Sequence, residues 1–393
     1  MESYKEKLLQ VEDLHVSFHT EERVTNALKG ISFHVNKGEI VAIVGESGSG
    51  KTVTSLTSLQ LLPGSAKVDS GRILFNNEGE QTDLTTASLS KIRDIRGNKI
   101  SMIFQEPMTS LNPVMTCGSQ VAESILHHQK NTREQARQKT IELFEKVKLP
   151  NPSSIYSRYP HELSGGQKQR VMIAMAVSCN PVLLIADEPT TALDVTVQKS
   201  IIELLKELQV QSGMSVLYIT HDLGLVKEIA DRVIVMYRGK IVEENGVAEI
   251  FTSPHEQYTK ALLSCHPGPE NKGRRLPVVD DFLKGLAMDS LVVGNSRTPE
   301  SMISKGEPDE GFLQVQNLIV TFPLKKNIFG KTISEFIAVN DVSFTVSTGE
   351  TLGLVGESGC GKTTLGRALI RLIEPQSGKI FLNGKDLLNI SEK

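Results

Sequence analysis

No apolar run in the 393 residues approaches the roughly 18 that a membrane-crossing helix needs. The first residues, Met1-Glu2-Ser3-Tyr4-Lys5-Glu6-Lys7, lack the apolar core of a secretory signal. Cysteine is scarce: Cys117, Cys179, Cys265 and Cys360 are widely spaced, form no CxxC pair and offer no plausible metal set. That usage fits a reducing, cytosolic compartment. Charge of one sign is lacking too. The formal net charge is -3, which supplies no overall pull toward nucleic acid, and none is expected as a partner. Any membrane association must then come through a partner protein.

What is present begins with Gly45-Glu46-Ser47-Gly48-Ser49-Gly50-Lys51-Thr52. It follows the apolar run Ile40–Val44 and precedes a helix-like stretch, the context a phosphate-binding loop requires. Its glycines let successive backbone N–H groups turn inward, and a helix N-terminus adds its positive end. Lys51 is placed to reach β- and γ-phosphates, and the Thr52 hydroxyl to bind Mg²⁺. On average composition such a pattern arises by chance about once in 30,000 positions. The chain carries it twice. The second copy, Gly356-Glu357-Ser358-Gly359-Cys360-Gly361-Lys362-Thr363, lies 311 positions on and again follows an apolar run, Leu352–Val355.

Read in order, Leu9–Phe18 alternates as a strand, Ala27–Val35 is a second strand, and a turn at Asn36–Glu39 leads into the run before the first loop. Phe18 lies 27 positions before Gly45, where an aromatic side chain can stack on adenine or simply be half-buried. Ser70–Phe75 reads as a short strand and Leu84–Arg96 as a polar helix. Ile100–Phe104 is a buried-type strand ending at Gln105. Open α/β sheets bind ligands at the carboxyl ends of their strands, so Gln105 can contact Mg²⁺ or an attacking water, or be an unremarkable strand end. Met108–Tyr159 is helical, a small insertion closed by Pro150 and Pro152.

Leu163-Ser164-Gly165-Gly166-Gln167 then precedes a helical run, Lys168–Val177, a second anion-binding surface or an ordinary Ser-capped helix start. Val182–Ala186 runs into Asp187-Glu188. Adjacent acids at the end of a buried parallel strand suit Asp187 for holding Mg²⁺ and Glu188 for polarising water. After Ala192-Leu193-Asp194 and a helix over Val197–Leu208, the strand Ser215–Thr220 ends at His221, which can touch a γ-phosphate or cap a helix. Arg232–Tyr237 and Lys240–Glu243 form a hairpin. From 266 to 311 proline, glycine, serine and charge dominate, as in a linker. At 312 the chain starts over. Phe312–Phe322 echoes Leu9–Phe18, with Phe322 in the place of Phe18, and Ser377–Leu382 echoes Ser70–Phe75. The repeat stops before any second Gln, LSGGQ, acidic strand end or His.

This ordered set resembles the ATP-binding-cassette (ABC) ATPases: an aromatic, a P-loop, a Gln, LSGGQ, an apolar strand ending Asp-Glu, Ala-Leu-Asp and a His. The resemblance implies an α/β P-loop fold, with a parallel core sheet, an antiparallel β subdomain and a helical subdomain, followed by the N-terminal part of a second such domain. The domains expected are 1–265 (helical part about 106–160), a linker at 266–311 and an incomplete cassette at 312–393. The chain is thus expected to be a fragment of a longer tandem ATPase.

A finer resemblance, to the ATPase subunits of oligopeptide, dipeptide and glutathione-type importers, is carried by three stretches. They are Phe104-Gln105-Glu106-Pro107-Met108-Thr109-Ser110-Leu111-Asn112-Pro113, Tyr159-Pro160-His161-Glu162-Leu163-Ser164-Gly165-Gly166-Gln167 and His255–Leu263. Some members of that group carry a cysteine-rich iron–sulfur segment after the tail, which Cys265 alone cannot supply.

The resemblance implies that two cassettes close face to face, each ATP lying between one P-loop and the other's LSGGQ. It implies adenine stacking on Phe18 and Phe322, Mg²⁺ with Thr52, Gln105 and Asp187, catalysis by Glu188, His221 and Gln105, and nucleotide contacts from Gly45–Thr52 and Ser164–Gln167. The second cassette would use Gly356, Gly359, Gly361, Lys362 and Thr363. Expected partners are membrane-spanning permease subunits, a second cassette and, indirectly, an extracytoplasmic peptide-binding protein. The expected place is the cytoplasmic face of the plasma membrane. The competing readings are a soluble ABC ATPase acting on ribosomes or DNA, and a non-hydrolysing regulator.

Overall fold

A computed structural model describes residues 6–21, 23–105, 110–191, 193–265, 312–326, 332–357 and 359–390. The expected linker, 266–311, lies outside the described residues, as do 106–109 and Ala192. The chain divides into two compact units, Met1–Ser296 and Arg297–Lys393.

The first unit holds two sheets. The antiparallel one is built from β1 (Lys7–His19), β2 (Val24–Asn36), β4 (Ala66–Asn77) and β5 (Glu80–Asp83), in the order β2-β1-β4-β5. The other contains β3 (Ile40–Val44), β6 (Ile100–Ile103), β7 (Leu183–Asp187), β8 (Ser215–Thr220), β9 (Arg232–Tyr237) and β10 (Lys240–Gly246). Its order is β10-β9-β3-β8-β7-β6, parallel throughout except for the β10 edge. Every residue of β3, β7 and β8 is buried, which is why these segments read as continuous apolar runs rather than alternating ones.

Alternation survives within the burial. Val41 and Ile43 of β3 pack with Leu9, Val11 and Ile31 of the antiparallel sheet. Ala42 and Val44 point the other way, into a cluster with Val226, Val235, Ile250 and Tyr258. With both faces covered, each fully buried Val or Ile contributes about 1.5–3 kcal/mol. The sheet is thereby a rigid base from which every loop at its carboxyl edge emerges.

The insertion is helical, as expected: Cys117–His128, Arg133–Lys146 and Pro152–Tyr156. Thr116 and Thr132 cap the first two, and Thr132 forms a reciprocal capping box with Gln135. The helix expected over 84–96 is shorter, Leu89–Ile95. Asp83 accepts the Thr85 N–H and holds the start of the stretch in a turn until Ser88 caps the helix.

The second unit has one antiparallel sheet of β11 (Leu313–Lys326), β12 (Thr332–Val346), β13 (Ser377–Leu382) and β14 (Lys385–Asp386), in the order β12-β11-β13-β14. A helix, Lys362–Leu369, packs Leu365 and Ala368 onto Val315, Leu318 and Ile380. The apolar run Leu352–Val355 forms no strand here. Leu352 and Leu354 are about half exposed and Val355 is 89% exposed. A parallel strand exists only by pairing with neighbours, and among the described residues no neighbouring strand lies beside this run.

Candidate functional site

The strand order brings four loops together. β3 ends at the P-loop. Its neighbours β8, β7 and β6 end at His221, at Asp187-Glu188 and just before Gln105. Register fixes the match: Val44 sits opposite Thr220, and Asp187 opposite Ile219.

Gly45 has φ 152°, and a Cβ there would lie 2.2 Å from the Met236 carbonyl oxygen, so only glycine fits. The loop curls round Lys51, whose Nζ donates to the carbonyl oxygens of Gly45 (2.7 Å) and Glu46 (2.9 Å). Lys51 is 5% exposed. Burial lowers its pKa, and the carboxylates of Glu188, Asp187 and Glu46 pull the other way. A buried ammonium held only by carbonyls is a ready acceptor of a polyanion.

The two acids at the end of β7 differ in state. Asp187 is 1% exposed and touches the Thr52 hydroxyl at 3.3 Å. Burial pushes its pKa up to about 6, with the Thr52 hydrogen bond opposing. Glu188 is held in the left-handed region, φ 47°, by its N–H donating to the Ile219 carbonyl. Such a conformation costs a non-glycine residue on the order of 1 kcal/mol and is typical of functional sites. Its carboxylate accepts from Thr191 Oγ1 (2.8 Å) and Gln105 Nε2 (3.1 Å) and faces His221 Nδ1 at 3.2 Å. Burial would raise its pKa, but the hydrogen bonds from Thr191 and His221 and the charge of Lys51 outweigh it, so the pKa falls. Glu188 is thus an ionised carboxylate, able to orient a water and take its proton.

A cavity of about 520 Å³ opens over these groups, lined by Ser47, Gly48, Gly50, Lys51, Thr52, Gln105 and Glu188. Thr25, Asn26, Ala27, Lys29, Val53 and Arg238 complete its walls. Phe18 does not line it, although its strand partner Thr25 does. Ser164–Gln167 lie outside it as well. Gly165 and Gly166 form the first turn of the helix Gly165–Val177, three residues earlier than expected. Ser164 and Gln167 close a capping box, and Gly166 leaves room for Val197, which a Cβ would meet at 2.8 Å.

Sequence reasoning missed Lys29, Arg238 and Tyr258. The Tyr258 hydroxyl accepts the Glu46 N–H at 3.1 Å, and its ring packs on Tyr237 with centroids 4.2 Å apart. Among the described residues no cluster of three or more His, Cys, Asp or Glu side chains could hold a metal unaided. One buried carboxylate plus a hydroxyl, with substrate phosphates completing the shell, is nevertheless the hard-oxygen donor set that suits Mg²⁺.

In the second unit Lys362 Nζ donates to Gly356 O (2.6 Å) and Glu357 O (2.7 Å). A separate cavity of about 370 Å³ there is lined by Gly361, Lys362, Cys360, Asn340 and apolar side chains including Leu354 and Val355. Phe322 lies on β11, 39% exposed, opposite Phe336.

The sequence profile of the ABC transporter family matches residues 28–191 and 339–393. The chain is 45% identical over 391 residues to the glutathione import ATP-binding protein GsiA of Salmonella typhimurium and 46% identical to that of Escherichia coli K12. These alignments cover 98% of this chain but 61% of each relative, so the chain spans about three-fifths of their length. Among solved structures, the ATP-binding cassette MJ0796, as a post-hydrolysis dimer bound to ADP and Pi, superposes with a TM-score of 0.54 and 27% identity, over 61% of this chain and 98% of that one. A second dimeric structure of MJ0796, a bacterial ABC transporter cassette, gives 0.54 and 28%. With its nucleotide-loop sheet, its acids and these likenesses in register, the chain belongs to the ABC transporter family of ATP-binding cassettes.

Proposed function

We propose that this chain binds and hydrolyses ATP to power a membrane ABC importer of small peptides, of the glutathione type. The observation that carries hydrolysis is the Glu188 carboxylate, kept ionised by Thr191 and His221 at the edge of the P-loop cavity. Peptide import is supported by the 45% identity to a glutathione import ATP-binding protein.

In this reading Lys51 leaves the Gly45 and Glu46 carbonyls for the β- and γ-phosphates. Thr52 and Asp187 would hold Mg²⁺, which would supply charge neutralisation for the phosphates. Gln105 and Glu188 position the attacking water, Glu188 takes its proton, and His221, 58% exposed, is free to turn to the γ-phosphate. Ser164–Gln167, outside this cavity, serve the nucleotide of a second cassette facing it. Phe18 stacks on adenine, and in the second unit Phe322, Gly356, Gly359, Gly361, Lys362 and Thr363 are the corresponding positions.

The domain division that goes with this reading is 1–265 as the first cassette, 266–311 as linker and 312–393 as the opening of a second. No helix among the described residues is long and apolar enough to cross a membrane. Membrane-spanning permease subunits would therefore hold the cassettes at the cytoplasmic face, with an extracytoplasmic binding protein delivering the peptide. Binding and hydrolysis drive transport by shifting a two-state equilibrium between open and closed cassettes.

The test is Glu188→Gln, which keeps the size of the side chain and an oxygen for Thr191 and Gln105 but removes the base. Phosphate release should fall about 1000-fold while ATP affinity stays within about twofold. Turnover at the wild-type rate would remove Glu188 from its assigned role.

A further inference from the structure

The cavity over the P-loop has a wall that hydrolysis does not use. In the sheet, β8, β7 and β6 lie on one side of β3, carrying His221, Glu188 and Gln105. β9 lies on the other side, and the turn that follows it carries Arg238. Lys29 of β2 joins Arg238 in the cavity lining, with Thr25 and Asn26 beside it. No carboxylate lies within ion-pair distance of Lys29 or Arg238 among the described residues. Two unneutralised cations facing a cavity that already holds a buried lysine raise its positive potential and call for an anionic ligand.

The backbone that carries these cations is also held in place. Arg238 sits at φ 47° in the hairpin turn, its guanidinium carbon 5.0 Å from the Tyr237 ring centroid. Tyr237 is itself packed on Tyr258. The next residue, Gly239, donates its N–H to the Ser49 carbonyl of the P-loop (3.0 Å), and its own carbonyl accepts the Lys29 N–H (2.9 Å). Arg238, Lys29 and the loop thus form one hydrogen-bonded frame.

Resting on the nucleotide reading above, we infer that Arg238 and Lys29 bind the α-phosphate end of the nucleotide, the end remote from Glu188. A nucleotide that places its γ-phosphate by Glu188 and Gln105 and its β-phosphate on Lys51 must extend its other end across β3 toward β9. Planar Arg238 can present two N–H groups to one phosphate, and Lys29 adds a point charge. Both contacts are the same for ATP and ADP, and neither changes as the γ-phosphate leaves. They contribute affinity, not rate acceleration.

The experiment titrates the full chain with MgADP and with a non-hydrolysable MgATP analogue, and measures ATPase kinetics in parallel. Arg238→Gln should weaken both ligands by the same factor, about tenfold, and raise KM by that factor with kcat within twofold. Lys29→Gln should cost about threefold for both. Arg238→Lys should recover most of the loss, and the thermal midpoint of each variant checks that the turn still folds. A loss confined to the triphosphate analogue would place the cations at the hydrolysed end and overturn the inference. Unchanged titrations in Arg238→Gln and Lys29→Gln would overturn it as well, provided Lys51→Ala abolishes binding of both ligands. If Lys51→Ala also binds normally, the nucleotide site itself is misassigned and the inference falls with it.

Discussion

The two P-loops have nearly the same local geometry in very different surroundings. The glycine φ angles are 152°, 79° and 104° at Gly45, Gly48 and Gly50, and 155°, 84° and 97° at Gly356, Gly359 and Gly361. Both lysines grip the carbonyls of the first and second loop residues. Yet Lys51 is buried beside two acids at the edge of a six-stranded sheet, while Lys362 is half-buried and follows a run with no strand pairing. The loop's shape is therefore written locally, by three glycines and a helix start. Its electrostatics are not. Burial beside the sheet depresses the Lys51 pKa and raises that of Asp187, and Glu188 is kept ionised by Thr191, His221 and Lys51.

The sharpest way to break this comparison is to remove each lysine in turn. Lys51→Ala should weaken nucleotide binding on the order of 1000-fold, because a desolvated ammonium on two phosphates is lost. Lys362→Ala in the same chain should change total binding less than twofold. Titration with a fluorescent ATP analogue, read for stoichiometry as well as affinity, decides it. If Lys362→Ala removes a full equivalent of bound nucleotide, local loop geometry suffices for binding and the sheet adds little.

A smaller effect separates the turns before the two loops. Glu39 Oε2 accepts the Asn36 N–H at 2.8 Å, and Glu350 Oε2 accepts the Ser347 N–H at 2.7 Å, the same turn in each unit. Only Glu39 also meets Arg232 (2.9 Å), with both side chains largely buried, and Glu350 is exposed. Glu39→Gln should cost the first unit about 2 kcal/mol, since Arg232 keeps its contact with Glu244 but loses a partner. Glu350→Gln should cost the second unit less than about 0.5 kcal/mol. Burial alone would raise the Glu39 pKa, but Arg232 and the Asn36 N–H hold it below the usual value of 4.5. A lowered carboxylate pKa gives stability that is full above the unfolded value and is lost as pH falls through the native one. Denaturant melts between pH 6 and pH 3 should therefore show Glu39→Gln converging on the wild type in acid.

The legible part of the molecule follows from the same division. Strands buried on both faces announce themselves as apolar runs, and the rule that open parallel sheets bind ligands at carboxyl ends collects Gln105, Asp187, Glu188 and His221. What reading in order could not supply was the other wall. Arg238 stands in an ordinary hairpin turn and Lys29 on a strand of the other sheet, and only the adjacency of β9 and β3 and the Lys29 N–H bond to the Gly239 carbonyl bring them to the loop. The sequence likewise offered Leu352–Val355 as equivalent to Ile40–Val44, but a parallel strand is a property of its neighbours, not of its residues. Gly165 and Gly166, which precede the helical run expected from the sequence, enter its first turn behind the Ser164 cap, although glycine is a poor helix former. The Ser164–Gln167 capping box offsets that cost at a first turn.

The smallest expected effect concerns the brace that the first loop has and the second lacks. Tyr258, 3% exposed, reaches Glu46 N–H from a helix, Gln257–Ser264, more than 200 residues along the chain. No side chain reaches Glu357 N–H among the described residues. Burial pushes the Tyr258 pKa up to about 12, so the hydroxyl stays protonated, and able to accept, throughout the physiological range. Tyr258→Phe keeps the ring against Tyr237 and removes only the oxygen. The loop N–H is partly reached by water, so the loss should be about 1 kcal/mol, or roughly fivefold in affinity for ATP and ADP alike. If the variant binds nucleotide as tightly as wild type while its thermal midpoint falls, Tyr258 is packing and not a brace. If binding weakens fivefold with the midpoint unchanged, the order of the first loop depends on distant side chains as well as on its own glycines.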